Sequence, residues 1–179
     1  LQGTKLPADW AFDDLPACTL EVSFADGGDM RKAIDDALAA SGKERYQVTD
    51  IRVIGDAKAI AGGNWDALKE CYKDGGAWPI LTSLDLSGMG GLKEVSGTDP
   101  GSDTFGELVS LALPDGLATV GPSAFQGCTS LTLGKLPDGV TAIGHHAFSG
   151  CVGLALTALP EKLGAIESGA FQGCSNLAL

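Results

Sequence analysis

A fixed period governs the C-terminal part of this chain. Written in register, LVSLALPDGLATVGPSAFQGCTS begins at Leu108, LTLGKLPDGVTAIGHHAFSGCVG at Leu131 and LALTALPEKLGAIESGAFQGCSN at Leu154, each 23 residues long. The opening leucine recurs (Leu108, Leu131, Leu154), as do a Leu-Pro pair (Leu113 and Pro114, Leu136 and Pro137, Leu159 and Pro160) and an Ala-Phe-x-Gly-Cys run from Ala124, Ala147 and Ala170. Between them lies an aliphatic pair: Leu117 with Val120, Val140 with Ile143, Leu163 with Ile166. A unit this short cannot bury its own apolar face, so successive units must stack and share one continuous core. The expected product is a solenoid.

Each unit carries two short extended segments, around residues 111–113 and 119–120 in the first copy. Pro114-Asp115-Gly116 separates them as a turn; Pro137-Asp138-Gly139 repeats it and Pro160-Glu161-Lys162 degrades it. Small alanines allow neighbouring coils to approach, and Phe125, Phe148 and Phe171 are expected to stack as an internal aromatic ladder. Cys128, Cys151 and Cys174 share one repeating apolar position, which places thiols of adjacent coils roughly 5 Å apart. A disulfide needs facing side chains, whereas ladder positions point the same way, so buried free thiols are expected.

The unit C-x-x-L-x-x-x-x-L-P-x-x-L-x-x-I-G-x-x-A-F-x-G, covering residues 108–179, resembles the BspA-like, or Treponema-type, class of leucine-rich repeats. Upstream, Leu81, Leu84 and Leu86 in LTSLDLSG form a leucine-rich strand, and an irregular unit over 81–107 fits a longer repeat of 27 residues. Val48, Ile51 and Val53 mark an earlier strand, with Asn64, Trp65 and Leu68 opening the helix after it. That order is similar to the first turns of surface leucine-rich proteins from Bacteroides-type gut bacteria. The resemblance implies an α+β fold leaning to β, a right-handed leucine-rich repeat solenoid with short parallel strands per coil. It also implies a place outside the cell or on its surface, and adhesion to matrix proteins or other bacteria.

Solenoid ends expose a hydrophobic cross-section and carry atypical capping units. Residues 1–46 are expected to be that cap, followed by a solenoid over 47–179: irregular coils 47–107, regular coils 108–130, 131–153 and 154–176, and a partial coil 177–179. Met30, Ala33, Ile34, Ala37 and Leu38 fall on one helical face, with Asp29 as N-cap and Gly42 just past the end. Leu20, Val22 and Phe24 alternate with Glu21 and Ser23 as in a half-buried strand, giving a strand-helix-strand cap from 19 to about 54. The segment holding Trp10 and Phe12 either drapes over this cap or forms a tail. At the other end Leu177 and Leu179 begin a further coil, and such an open edge invites a homodimer.

Twelve Lys+Arg against 23 Asp+Glu give a net charge of −11, a field that repels nucleic acid and anionic lipid. The 26 glycines, about twice the usual share, imply many tight turns. No apolar run is long enough to span a membrane, and the first twenty residues lack the pattern of a signal peptide, so export would need an upstream signal. His145 and His146 are adjacent, and in an extended segment they would point to opposite sides, so surface or packing roles are expected. Asp99, Asp103 and Glu107 lack a calcium-loop core and read as a solvated acidic loop. Trp65 is expected in the core; Trp10 and Trp78 are scattered through the cap and first coils. Cys18 and Cys71 are free, or paired across the cap as an exported protein permits. Nucleophile elbow, HExxH and P-loop are all missing, so neither enzymatic activity, metal nor cofactor is expected.

The expected function is a non-catalytic extracellular binding or adhesion module for a host or microbial protein or glycan. A structural spacer or assembly domain of a larger cell-surface protein is the alternative. Candidate contact residues lie between core leucines on the expected strands: Asp85, Ser110, Ala112, Lys135, Thr157 and Ala158. They are small and lack the aromatic or arginine anchors of interface hot spots.

Overall fold

The computed structural model describes residues 17–69, 81–97 and 105–178. The chain begins there with β1 (Thr19–Ser23), whose alternating sequence buries Leu20 and Val22 and exposes Thr19, Glu21 and Ser23. Helix α1 (Met30–Ser41) follows, started by the Asp29 carboxylate accepting the Lys32 N–H at 3.1 Å and ended by Gly42 in the left-handed conformation at φ +67°. Its Met30, Ile34 and Leu38 are buried, with Ala33 and Ala37 at the edge of the same core. Beyond it come β2 (Asp50–Ile54), β3 (Ala59–Ala61), α2 (Gly63–Lys69), β4 (Ser83–Asp85), β5 (Glu94–Ser96), β6 (Ser110–Ala112), β7 (Thr119–Val120), β8 (Ala142–Ile143) and β9 (Ala165–Ile166).

Two parallel sheets run along the solenoid, one in the order β1-β2-β4-β6 and the other β3-β5-β7-β8-β9. The first sheet pairs Leu20 with Ile51, Ile51 with Leu84 and Leu84 with Leu111, a continuous inward row. The second aligns Ile60, Val95, Val120, Ile143 and Ile166. Strand β1 is thus both part of the cap and the first strand of a sheet. The expected α+β, β-leaning leucine-rich repeat architecture with its strand-helix-strand start is the one observed.

The segment after the second sheet holds the coils at a fixed offset without forming a regular strand. Phe125 N–H donates to Ala147 O and Phe148 N–H to Ala170 O, both at 2.8 Å, and two residues further on Gly127 and Gly150 repeat the pattern onto Ser149 O and Gln172 O, at 2.7 Å. Coils 108–130 and 131–153 therefore each satisfy part of their backbone on the coil that follows. Inside, the rings of Phe125 and Phe148 stack at 5.4 Å and those of Phe148 and Phe171 at 5.6 Å. Trp65 closes the start of this ladder edge-on, 5.4 Å from Phe125, and its Nε1–H donates to Ala124 O at 2.7 Å. Beside it the buried Lys69 ammonium donates to Ser123 O at 2.8 Å, so α2 fixes the first turn of the regular repeat.

The Gly of Ala-Phe-x-Gly-Cys has one conformational cause. Gly127, Gly150 and Gly173 sit at φ +73°, +77° and +76°, where a side chain is strained whatever space surrounds it. A second left-handed position recurs at Ser123, His146 and Gly169 (φ +49°, +53° and +69°), and there the residue type varies.

One expectation fails. Two extended segments were expected in every regular coil, yet the first is a strand only in coil 108–130, as β6; residues 133–136 and 156–159 form no strand. The reason is a one-residue slip. Coil 108–130 places its leucines at 108, 111 and 113, whereas the next two place theirs at 131, 133, 136 and 154, 156, 159. Alternation in a strand has period two, so a shift of one residue would turn Leu133 and Leu156 outward if the ladder continued. The chain instead leaves the ladder, and threonines join the coils: Thr132 N–H and Oγ1 donate to Val109 O at 3.0 and 3.1 Å.

Candidate binding face

The outward positions of the first sheet form two straight rows. Thr19, Asp50, Ser83 and Ser110 make one; Glu21, Arg52, Asp85 and Ala112 make the other. Neighbours along a row are about 4.8 Å apart, the spacing of paired strands. The second row alternates charge, and Arg52 Nε donates to Asp85 Oδ2 at 3.0 Å. Asp85 Oδ1 accepts the Ser87 N–H at 2.9 Å and the Ser87 hydroxyl at 2.6 Å, which turns the chain out of β4. Partial burial pushes the Asp85 carboxyl up, but the Ser87 hydrogen bonds and the Arg52 guanidinium outweigh it and hold the group below its ordinary value. Asp85 is therefore ionised and oriented in advance.

Of the residues expected on this face, the structure brings Asp85, Ser110 and Ala112 together. Lys135, Thr157 and Ala158 are exposed as expected but lie on no strand, because of the register slip described above. The Lys135 ammonium is 3.0 Å from Asp138 of its own turn, and Thr157 Oγ1 donates to Gly134 O of the preceding coil at 3.4 Å. Sequence reasoning missed Glu21, Arg52, Asp50 and Ser83. Reading the position between Leu20 and Val22 and those flanking Ile51 and Leu84 would have found them. An arginine does stand on the face, although Asp85 already engages it.

Between β6 and the strandless segment that follows, the slip leaves a shallow groove of about 230 Å³. Leu111, Leu113, Leu133, Leu136 and Pro137 line it, with Asp115, Lys135 and Asp138 among its charged walls. Gly134 occupies the place that Leu111 holds one coil earlier, and a Cβ there would meet nothing within 4 Å. A second groove of about 430 Å³ lies on the cap, between Glu21 and Ser23 of β1 and Asp29, Lys32 and Asp36 at α1.

The other candidate chemistries resolve individually. His145 and His146 do not point apart: the left-handed φ at His146 breaks the extended geometry, and the rings meet edge-on at 4.5 Å. His145 is exposed, and its backbone N–H donates to Glu167 Oε2 at 3.0 Å. Among the described residues no three His, Cys, Asp or Glu groups are placed to hold a metal ion. Nor is any helix among them long and apolar enough to cross a membrane. Cys128 and Cys151 are buried and Cys174 half-buried, all as free thiols. Cys151 Sγ donates to Phe125 O and Cys174 Sγ to Phe148 O, each at 3.0 Å. The Cys151 thiol is pushed up by the neighbouring Cys128 thiol and by burial; burial and the neighbouring Cys151 push Cys174 up to about 11. Glu107 is exposed, whereas Asp99, Asp103, Trp10, Phe12, Trp78, and Cys71 of the Cys18–Cys71 pairing, lie outside the described residues.

The repeat geometry has a counterpart among known families: the model of the BspA type leucine rich repeat region, six copies, matches residues 103–178. Those residues are a BspA-type leucine-rich repeat region. The BspA-type region holds all three regular coils, the phenylalanine ladder and the 230 Å³ groove. Over 75% of this chain the fold is similar to the crystal structure of a T. pallidum leucine rich repeat protein, at 26% identity and a TM-score of 0.54. The match takes in 60% of that protein's chain. No curated protein matches the sequence.

Proposed function

We propose that this chain is a non-catalytic binding module acting outside the cell or on its surface, and that it engages a host or microbial protein or glycan through the outer face of the first sheet. The observation that carries the reading is the pair of straight outward rows from β1 to β6, polar except at Ala112 and continuous over four strands. A ligand meeting the Arg52–Asp85 pair finds its donors and acceptors already ordered, which lowers the entropic cost of association. Support also comes from the BspA-type region, since such repeats generally bind proteins and are commonly found at surfaces.

The test is a panel of matrix proteins, mucins and glycans presented to the chain at physiological salt, alongside a Ser110→Arg, Ala112→Arg variant that places two long cations on the face. Saturable binding to one panel member, lost in the variant, is the expected result. Absence of binding to every member would remove the module reading.

A spacer or assembly domain is the second reading, favoured by the small residues Ser83, Ser110 and Ala112 on the face. Assembly through a second copy would give concentration-dependent dimers in sedimentation velocity.

A further inference from the structure

We infer that the groove between β6 and residues 133–138 is a recognition pocket for an aliphatic side chain on a basic, extended segment of a partner protein. The inference rests on the binding-module reading and deepens it. Its apolar floor is Leu111, Leu113, Leu133, Leu136 and Pro137, where no strand follows β6 to cover it. At about 230 Å³ it is below the roughly 300–1,000 Å³ of small-molecule sites and fits one or two aliphatic side chains.

Charge selects the rest of the occupant. Asp115, Lys135 and Asp138 surround the apolar floor, and Lys135 is paired with Asp138 at 3.0 Å, leaving a carboxylate in excess. The whole chain carries −11, so the approach field favours a cationic partner and disfavours an acidic one. An aliphatic residue flanked by Arg or Lys satisfies both the floor and the rim.

Two labelled peptides test this by fluorescence anisotropy against the chain, one alternating Leu with Arg and one alternating Leu with Glu. The Leu-Arg peptide is expected to bind saturably, and the Leu-Glu peptide at least about tenfold more weakly. Leu133→Ser removes one wall of the apolar floor and should weaken the Leu-Arg peptide by roughly tenfold, the effect of losing one buried aliphatic contact. Exposed Asp115→Asn with Asp138→Asn leaves the floor intact and should weaken it and flatten its salt dependence, which keeps the test valid if Leu133→Ser misfolds. Equal binding of the two peptides, no saturable binding of either, or binding indifferent to both variants would overturn the inference. Panel binding that Ser110→Arg, Ala112→Arg abolishes and Leu133→Ser leaves intact would overturn the pocket while keeping the binding module.

Discussion

Replacing Phe148 by alanine removes the middle rung of the aromatic ladder. The ring is fully buried and stacks on Phe125 at 5.4 Å and on Phe171 at 5.6 Å, so both of its faces lose their partners. A buried Phe→Ala change costs about 3–5 kcal/mol once the cavity is included. The coils are pinned on each side by 2.8 Å backbone bonds at Phe125 and Phe148, which limits collapse and favours the upper part of that range. Phe171→Ala is the internal control: this ring is half-buried and has one stacking neighbour, so its loss should cost about half as much. Urea titrations followed by circular dichroism compare the two, and the melting temperature of Phe148→Ala should fall by roughly 6–20 °C. If Phe171→Ala destabilises as much as Phe148→Ala, or if Phe148→Ala costs less than about 1 kcal/mol, the ladder is not what holds the coils together.

Three further outcomes are expected. Gly150→Ala forces a side chain into φ +77° and should cost about 1–2 kcal/mol in urea titration, whereas Gly134→Ala, which meets open space, should cost far less. Trp65→Phe keeps the aromatic contacts but withdraws the Nε1–H from Ala124 O, and a loss of about 1–3 kcal/mol follows from leaving that buried carbonyl without its indole donor. The Cys174 thiol is raised to about 11 in the folded chain against an ordinary 9.0, so its contribution to stability is complete below pH 9 and is lost as pH rises towards 11. Urea midpoints should therefore decline across that window, less steeply in Cys174→Ser; a pH-independent difference between the two proteins would contradict the assignment.

The fold was largely legible because a solenoid repeats its own instructions. Phe125, Phe148 and Phe171 stack, and Cys128, Cys151 and Cys174 remain thiols on one row, as identical positions in stacked coils must. The cap helix was readable from local signals alone, Asp29 at one end and Gly42 at the other. The candidate face was only partly legible. Asp85, Ser110 and Ala112 were found by looking between leucines, but Arg52 and Glu21 join them only through the register of β1 and β2 with β4.

The sequence by itself determined the period, the apolar row, the turn residues and the left-handed glycine of each unit, because these depend on local backbone chemistry and on the need to share a core. Tertiary structure decided what depends on register between coils. The difference between L-x-x-L-x-L in one coil and L-x-L-x-x-L in the next looks minor along the chain. Across the coils it ends the first sheet at β6, takes Lys135 and Thr157 off the strands, and opens the groove beside Leu111. The second sheet continues to β9 because its aliphatic pair never shifts. Neighbouring strands read each other's alternation rather than their own composition, and a slip of one residue changes the face on which every side chain stands.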